Sequence, residues 1–337
     1  HDLVNLLPAV NSHTIQNCLF CTDDKQCIDI MRRGHINNSV SLAIKHGIAP
    51  IDAVRMATIN TARAYGIRHK GAIAPGMEAS FMLVKDMKKC MPHAVYIQGR
   101  LAAENGKYIA AGSKKYNAKL EQLTDNMQDS MHAELPRDLT LHIPSKKARV
   151  IRLLPHSLLT ACEITDIAVD ADGNFDFSRN KGMLKLAVVE RHKKTGKFGL
   201  GLLHGEYGLK NGAIATSISH DSHNIVAAGD NDEDLRIALE EIEKMGGGIA
   251  MISQGKILTK LALPIGGLMS MQEPEIVATA LKHLYKLAKD HYQIWDKADA
   301  FMSLSFLALP VIPDLKLTPQ GLFDVTTFQF VSLEAEE

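Results

Sequence analysis

The run Phe20-Cys21-Thr22-Asp23-Asp24 decides how the first part of this chain is read. It closes the apolar stretch Cys18-Leu19-Phe20, so its acids stand where a short buried strand opens into a loop. If that strand is parallel and lies in a barrel, Asp23 points into the mouth, where such folds carry their chemistry. Taken alone, a Thr-Asp-Asp cluster is more often a turn or a helix cap.

Around this run the pattern alternates helix and strand from residue 1 to about residue 67. Leu3 to Val10 reads as the end of a helix, and Gly34 to His46 and Pro50 to Tyr65 read as helices. Pro50 suits a first helical position, Gly47 and Gly66 suit C-terminal stops, and Ile51, Val54 and Thr58 fall on one face. From Gly71 to Ile109 the period shortens. Phe81-Met82-Leu83-Val84 and Ala94-Val95-Tyr96-Ile97, with turn signals at Gln98-Gly99-Arg100 and Glu104-Asn105-Gly106, predict a small sheet over 68–110. The polar stretch 111–140 reads as a connector and marks a domain boundary.

The remainder, 141–337, alternates again. Arg149 to Leu154, Leu184 to Val189, Ile214 to Ser219, Ile225 to Ala228 and Ile249 to Ile252 are strand candidates. A helix begins at Asp232 as its cap, with Glu233 and Asp234 at the positive end of its dipole and Leu235, Ala238, Leu239 and Ile242 as an apolar stripe. A second helix runs from Pro274 to about Ala288. The expected fold class is α/β: the C-terminal piece of a TIM-type barrel, a small β-sheet segment of composite-sandwich type, and an α+β layered domain.

Composition narrows the function. The 337 residues are 46% hydrophobic and 23% charged, ordinary for a globular chain with more than one core. Lys plus Arg and Asp plus Glu are 38 each, so the net charge is zero and no uniform field draws the chain to nucleic acid or an anionic membrane. No apolar run approaches the roughly 20 residues of a membrane span, and no signal peptide is visible, so a cytoplasmic location is expected. The five cysteines, at 18, 21, 27, 90 and 162, form no dense framework. Cys18-x-x-Cys21 has redox or zinc spacing but no second pair, which favours small buried hydrophobes. The start at His1 rather than Met reads as a processed or truncated product.

His220-Asp221-Ser222-His223-Asn224 follows a strand candidate and brings two imidazoles, a carboxylate and an amide within one turn. Proton exchange or ligand contact suits such a set, and so does structural hydrogen bonding in a tight loop. His132-Ala133-Glu134 has the His-x-Glu half of a zinc nucleobase deaminase of the cytidine type, but no Pro-Cys-x-x-Cys follows it.

Several segments together resemble one family. They are Phe20–Asp24, Gly34-His35-Ile36, Met56-Ala57-Thr58-Ile59-Asn60, Gly71-Ala72-Ile73-Ala74-Pro75-Gly76, Gly208–Ala215, His220–Asn224, Leu263–Ser270 and Phe301–Pro313. In this order they look like the C-terminal portion of the bacterial adenine deaminases, in the amidohydrolase superfamily. The first four are shared by many amidohydrolases, and the later four are of the adenine deaminase type.

The resemblance implies hydrolysis of adenine to hypoxanthine and ammonia, with one or two divalent cations (manganese, iron or zinc) activating water. Asp23 matches the last-strand aspartate, which binds metal and shuttles a proton. Asp24, His220, Asp221 and His223 are implied as substrate-pocket residues. Adenine is the expected small-molecule partner, and a homo-oligomer is compatible with the family. The family's other metal ligands have no match, since the chain contains no His-x-His, and one carboxylate falls short of the about three protein ligands of a catalytic site. The expectation is therefore a truncated chain, inactive alone and retaining no metal. The competing expectation is a non-enzymatic purine-binding or scaffold module. Ser80 and Asn37 stand where the family more often has Asp.

Overall fold

The computed structural model describes residues 3–23, 25–109, 127, 129–205, 207–294 and 299–335. The chain divides into two units, His1–Asn117 and Ala118–Glu337.

In the first unit, short helices α1 (Leu3–Leu6), α2 (Cys27–Arg33), α3 (Ile36–Lys45), α4 (Pro50–Ala57) and α5 (Ile59–Ala64) precede a sheet. Pro50 occupies the first turn of α4, where its missing N–H costs nothing. Val40 and Ala43 of α3 and Ala53 and Met56 of α4 face inward and meet Leu7, Ile15, Phe20 and Cys90 in one apolar core. The sheet is β1 (Phe81–Val84), β2 (Pro92–Ile97), β3 (Arg100–Glu104) and β4 (Lys107–Tyr108), antiparallel in that order. Phe81 and Tyr96 are a cross-strand pair with rings stacked at 4.9 Å.

Two expectations for this unit are corrected. Cys18–Thr22 is irregular rather than a strand. A barrel strand holds its shape through the ladders on both sides, and none of the described strands pairs with this segment. Its backbone is satisfied locally instead: the Asn60 amide donates to the carbonyl oxygens of Ile15 and Cys18, each at 2.8 Å. The predicted 50–65 helix is broken in two at Thr58 (φ −131°, ψ −92°), whose hydroxyl donates back to the Val54 carbonyl. The turn at Gly71 (φ +99°) presses on that break. A Cβ there would sit 2.9 Å from Ile59 Cα, so the close approach requires glycine.

The second unit is built on an eight-stranded mixed sheet. Its strands are β5 (Lys147–Leu153), β6 (Thr160–Asp166), β7 (Leu184–Val189), β8 (Phe198–Gly205), β9 (Ala213–Thr216), β10 (Ile225–Gly229), β11 (Gly248–Ser253) and β12 (Lys256–Ala262). Their order across the sheet is β12-β11-β9-β10-β7-β8-β5-β6. All neighbours run antiparallel except β5 and β8. Strands β7, β9, β10 and β11 are buried at every position, which explains their continuous apolar runs.

Helix α6 (Asp232–Lys244) sets Leu235, Ala238, Leu239 and Ile242 against Ala213, Ala215, Ala227 and Ala250 of the central strands. Small residues on the sheet let the larger helix side chains interdigitate. The cap of α6 is Asn231 rather than Asp232: its side chain accepts from the Asp234 N–H at 2.8 Å. Asp232 is drawn off by the Lys185 amine, 2.6 Å away. Helices α7 (Pro274–Asp290) and α8 (Ala300–Phe306) follow, then a small antiparallel sheet of β13 (Leu315–Thr318), β14 (Gly321–Asp324) and β15 (Gln329–Phe330) that packs on β8. No described helix is long and apolar enough to cross a membrane.

Candidate functional site

Asp23 is exposed, at φ +48°, in the irregular stretch before α2. Its carbonyl oxygen accepts from the Lys25 N–H at 2.8 Å. Around it two motif segments fold back on each other. The Thr22 hydroxyl lies 2.9 Å from His35 Nε2, and the Lys25 amine donates to the Gly34 carbonyl at 2.6 Å. Asp24 lies outside the described residues. At the positions where the family more often has Asp, Asn37 accepts from the His35 N–H at 2.8 Å, and the Ser80 hydroxyl donates to Glu78 at 2.5 Å.

A divalent cation needs several donors at one point, and no group of three or more His, Cys, Asp or Glu side chains converges among the described residues. Asp23 has a carboxylate to offer, but the His35 imidazole is engaged by Thr22. These residues do not by themselves fit a catalytic metal.

A second cluster forms in the second unit, at the end of the sheet where β7 and β9 finish and β10 and β11 begin. Its centre is Arg191, which lies just past β7 and is 1% exposed. Its guanidinium donates to three carbonyls on three segments: Nε to His223, Nη1 to Ser130 at 3.0 Å and Nη2 to Gly266 at 2.9 Å. The Ser217 hydroxyl donates to the Gly267 carbonyl at 2.5 Å and accepts from the Gly248 N–H at 2.8 Å. Gly267 (φ +73°) is pressed so close that a Cβ would meet the guanidinium at 2.7 Å.

The predicted pair is brought together here. The His220 and His223 rings meet edge to face at 5.3 Å, and His220 lies 4.7 Å from the Phe306 ring. The His220 N–H donates to the Ser305 carbonyl at 3.1 Å, and the Ser219 N–H donates to His223 Nδ1 at 3.3 Å. Asp221 turns outward, with its side chain 85% exposed and 3.8 Å from His220. Burial holds the His223 pKa below the ordinary histidine value, with the positive fields of His220, Arg191 and His192 adding and Asp221 opposing. Three of the four later motif segments therefore converge: the 220–224 loop, the 263–270 loop and the 301–313 segment.

Arg191, Ser130 and Ser217 were missed from sequence. An arginine flush against the end of a continuous apolar strand was a readable signal for the first of them, because such a cation must find partners where it stands.

The model of the family described as the adenine deaminase C-terminal domain matches residues 157–329, half of the chain. The chain belongs to the adenine deaminase family. An amidohydrolase family model matches residues 1–102, the region that holds Asp23 and His35. Relatives of the same name include the adenine deaminase of Nitratidesulfovibrio vulgaris strain Hildenborough, 43% identical over 98% of this chain and 56% of its own length. That of Geobacillus kaustophilus is 42% identical over 99% of this chain and 57% of its own, and that of Listeria monocytogenes serotype 4b is 42% identical over 99% and 56%. The chain thus spans little more than half the length of these adenine deaminases.

Proposed function

We propose that this polypeptide contributes to the hydrolytic deamination of adenine, with release of hypoxanthine and ammonia, in a divalent-metal enzyme. The observation that carries the reading is the order of the two family matches: an amidohydrolase segment over 1–102 followed by an adenine deaminase C-terminal domain over 157–329. A single amidohydrolase match would leave the substrate open among many amides and amidines. The adenine deaminase match narrows it to a purine carrying an amino group.

In this reading Asp23 supplies one carboxylate of the metal site, and the other ligands come from outside the described residues. A carboxylate at that point is suited to hold a proton from the attacking water and to pass it toward the departing amine. Its exposed, left-handed backbone position leaves it free to meet such partners.

The test is ammonia release from adenine with manganese, iron or zinc. It is measured on the purified 337-residue chain and on the protein expressed from its native locus. The expected result is turnover by the latter, lowered by roughly 10² to 10⁴ in Asp23→Asn, and none by the chain alone. Full activity in the Asp23→Asn variant would remove the assigned role, and no turnover of adenine in any preparation would remove the reaction.

A further inference from the structure

The bonds that close the 219–224 loop require His223 to be neutral. The Ser219 N–H donates to His223 Nδ1 at 3.3 Å, so that nitrogen carries no proton, and the His223 N–H returns to the Ser219 carbonyl at 2.5 Å. The His223 carbonyl in turn accepts from Arg191 Nε, and the Ser222 carbonyl lies 2.7 Å from His192 Nε2. A titratable ring nitrogen thus faces a backbone donor where the loop is fastened to the segment after β7.

Other features of the closed loop are costly. His223 stands at φ +50°, a conformation that residues with a Cβ seldom adopt. Ser219 Oγ and the Asn224 side-chain oxygen are buried and make no hydrogen bond, and water would satisfy both if the loop opened. The closed arrangement therefore rests on the few bonds named, and one of them depends on the charge of His223.

The surroundings set the sign of that dependence. Burial disfavours a charge on His223, and so do His220 in the same loop and Arg191 and His192 on the segment after β7. Asp221 favours one, but its side chain is 85% exposed. His220 has a further contact of its own. Glu190 is committed to its turn, accepting from the N–H groups of His192, Lys193 and Thr195, and Asp129 lies 3.8 Å from His132. The 263–270 loop and Phe306 of α8 bring no charge.

We propose that the 219–224 loop is an acid-opened latch: a proton on His223 turns Nδ1 from acceptor to donor, sets two N–H groups against each other at Ser219 and releases the loop from the end of the sheet. Opening withdraws one of the three acceptors of Arg191. Near neutral pH the latch stays shut. As pH falls below the ordinary histidine value, the unfolded chain takes up a proton that the closed fold refuses, so stability falls until the loop opens and the imidazole is charged. The proposal does not rest on the deaminase reading, since every residue in it lies in the second unit.

The test takes the full chain from about pH 8 to about pH 4.5, following the histidine Cε1–H resonances together with amide exchange at Ser219 and His223. Expected is a His223 titration centred below that of an ordinary histidine, with protection at both amides falling about tenfold along the same curve while that of β7 and β10 holds. His223→Asn puts a non-titrating oxygen in place of Nδ1 and tolerates the left-handed backbone, so its loop is expected to stay shut throughout. Should that variant fail to fold, the coincidence of the two wild-type curves decides. Protonation of His223 with both amides still protected would overturn the proposal. So would the same acid opening in His223→Asn, or unfolding of the second unit before His223 is charged.

Discussion

The amine of Lys185, 1% exposed near the start of β7, lies 2.6 Å from the Asp232 carboxylate at the start of α6. The same amine donates to the Leu139 carbonyl at 2.7 Å and sits 5.0 Å over the Phe177 ring. This contact ties the sheet to the helix that covers it and takes Asp232 away from the capping role. Replacing Asp232 with Ala leaves a buried cation with one carbonyl and a ring face. Because the carboxylate is half-exposed, the expected loss is about 2 kcal/mol, below the range for a fully buried pair. Urea unfolding checks this, and Lys185→Met with Asp232→Ala should recover most of the loss.

Asn60 →Leu is expected to loosen the first unit. The substitution leaves the Cys18 carbonyl without its donor in a core position, at about 1 to 3 kcal/mol, while the Ile15 carbonyl keeps the Cys18 N–H. Amide exchange of residues 15–23 should accelerate, while that of the second unit stays unchanged.

Lys316, wholly buried on β13, has the Leu158 carbonyl at 3.3 Å as its partner, and burial pushes its pKa down to about 8 against an opposing pull from Asp314. Between about pH 8 and 10.5 the unfolded chain holds a proton that the folded chain has released, so stability rises with pH across that window. Below it both states are protonated and the full cost of the buried charge remains. Lys316→Met is expected to raise stability at pH 7 by on the order of 3 kcal/mol and to flatten the alkaline rise. Urea midpoints from pH 7 to 10.5 on both proteins measure it.

Gly267→Ala is expected to cost more than about 2 kcal/mol, since φ is +73° and the added carbon meets the Arg191 guanidinium. Loosening of the 220–224 loop should accompany it, seen as altered His220 and His223 resonances. Gly266→Ala, at φ +64° but with open space at its Cβ, should cost less.

How much was legible depended on which forces set each element. Leu184–Val189 was read with its observed bounds because a strand buried on both faces announces itself as an unbroken apolar run. Strands β6, β8 and β12 are not legible in the sequence: β6 and β12 lie at the two edges of the sheet with mixed exposure, and the glycines at 199 and 201 interrupt the apolar run of β8. The opposite error came at Cys18–Thr22, where an apolar run was present but no described strand stands beside it to make a ladder. At the site, the meeting of His220 with His223 follows from a spacing of three in one loop and could be foreseen. Arg191 reaches Ser130, His223 and Gly266, which are separated along the chain by up to 136 positions, and local pattern carries no trace of such a meeting.

The one parallel pairing of the large sheet has a kinetic corollary. Ile151, Arg152 and Leu153 lie beside Leu203, His204 and Gly205, so the β5–β6 hairpin joins the other six strands through a three-residue ladder. Closing that seam requires the intervening fifty or so residues to be ordered first, and distant pairings of this kind slow folding into the millisecond-to-second range. During refolding the hairpin should therefore acquire exchange protection last, leaving the β5-facing edge of β8 briefly open to pairing with another chain.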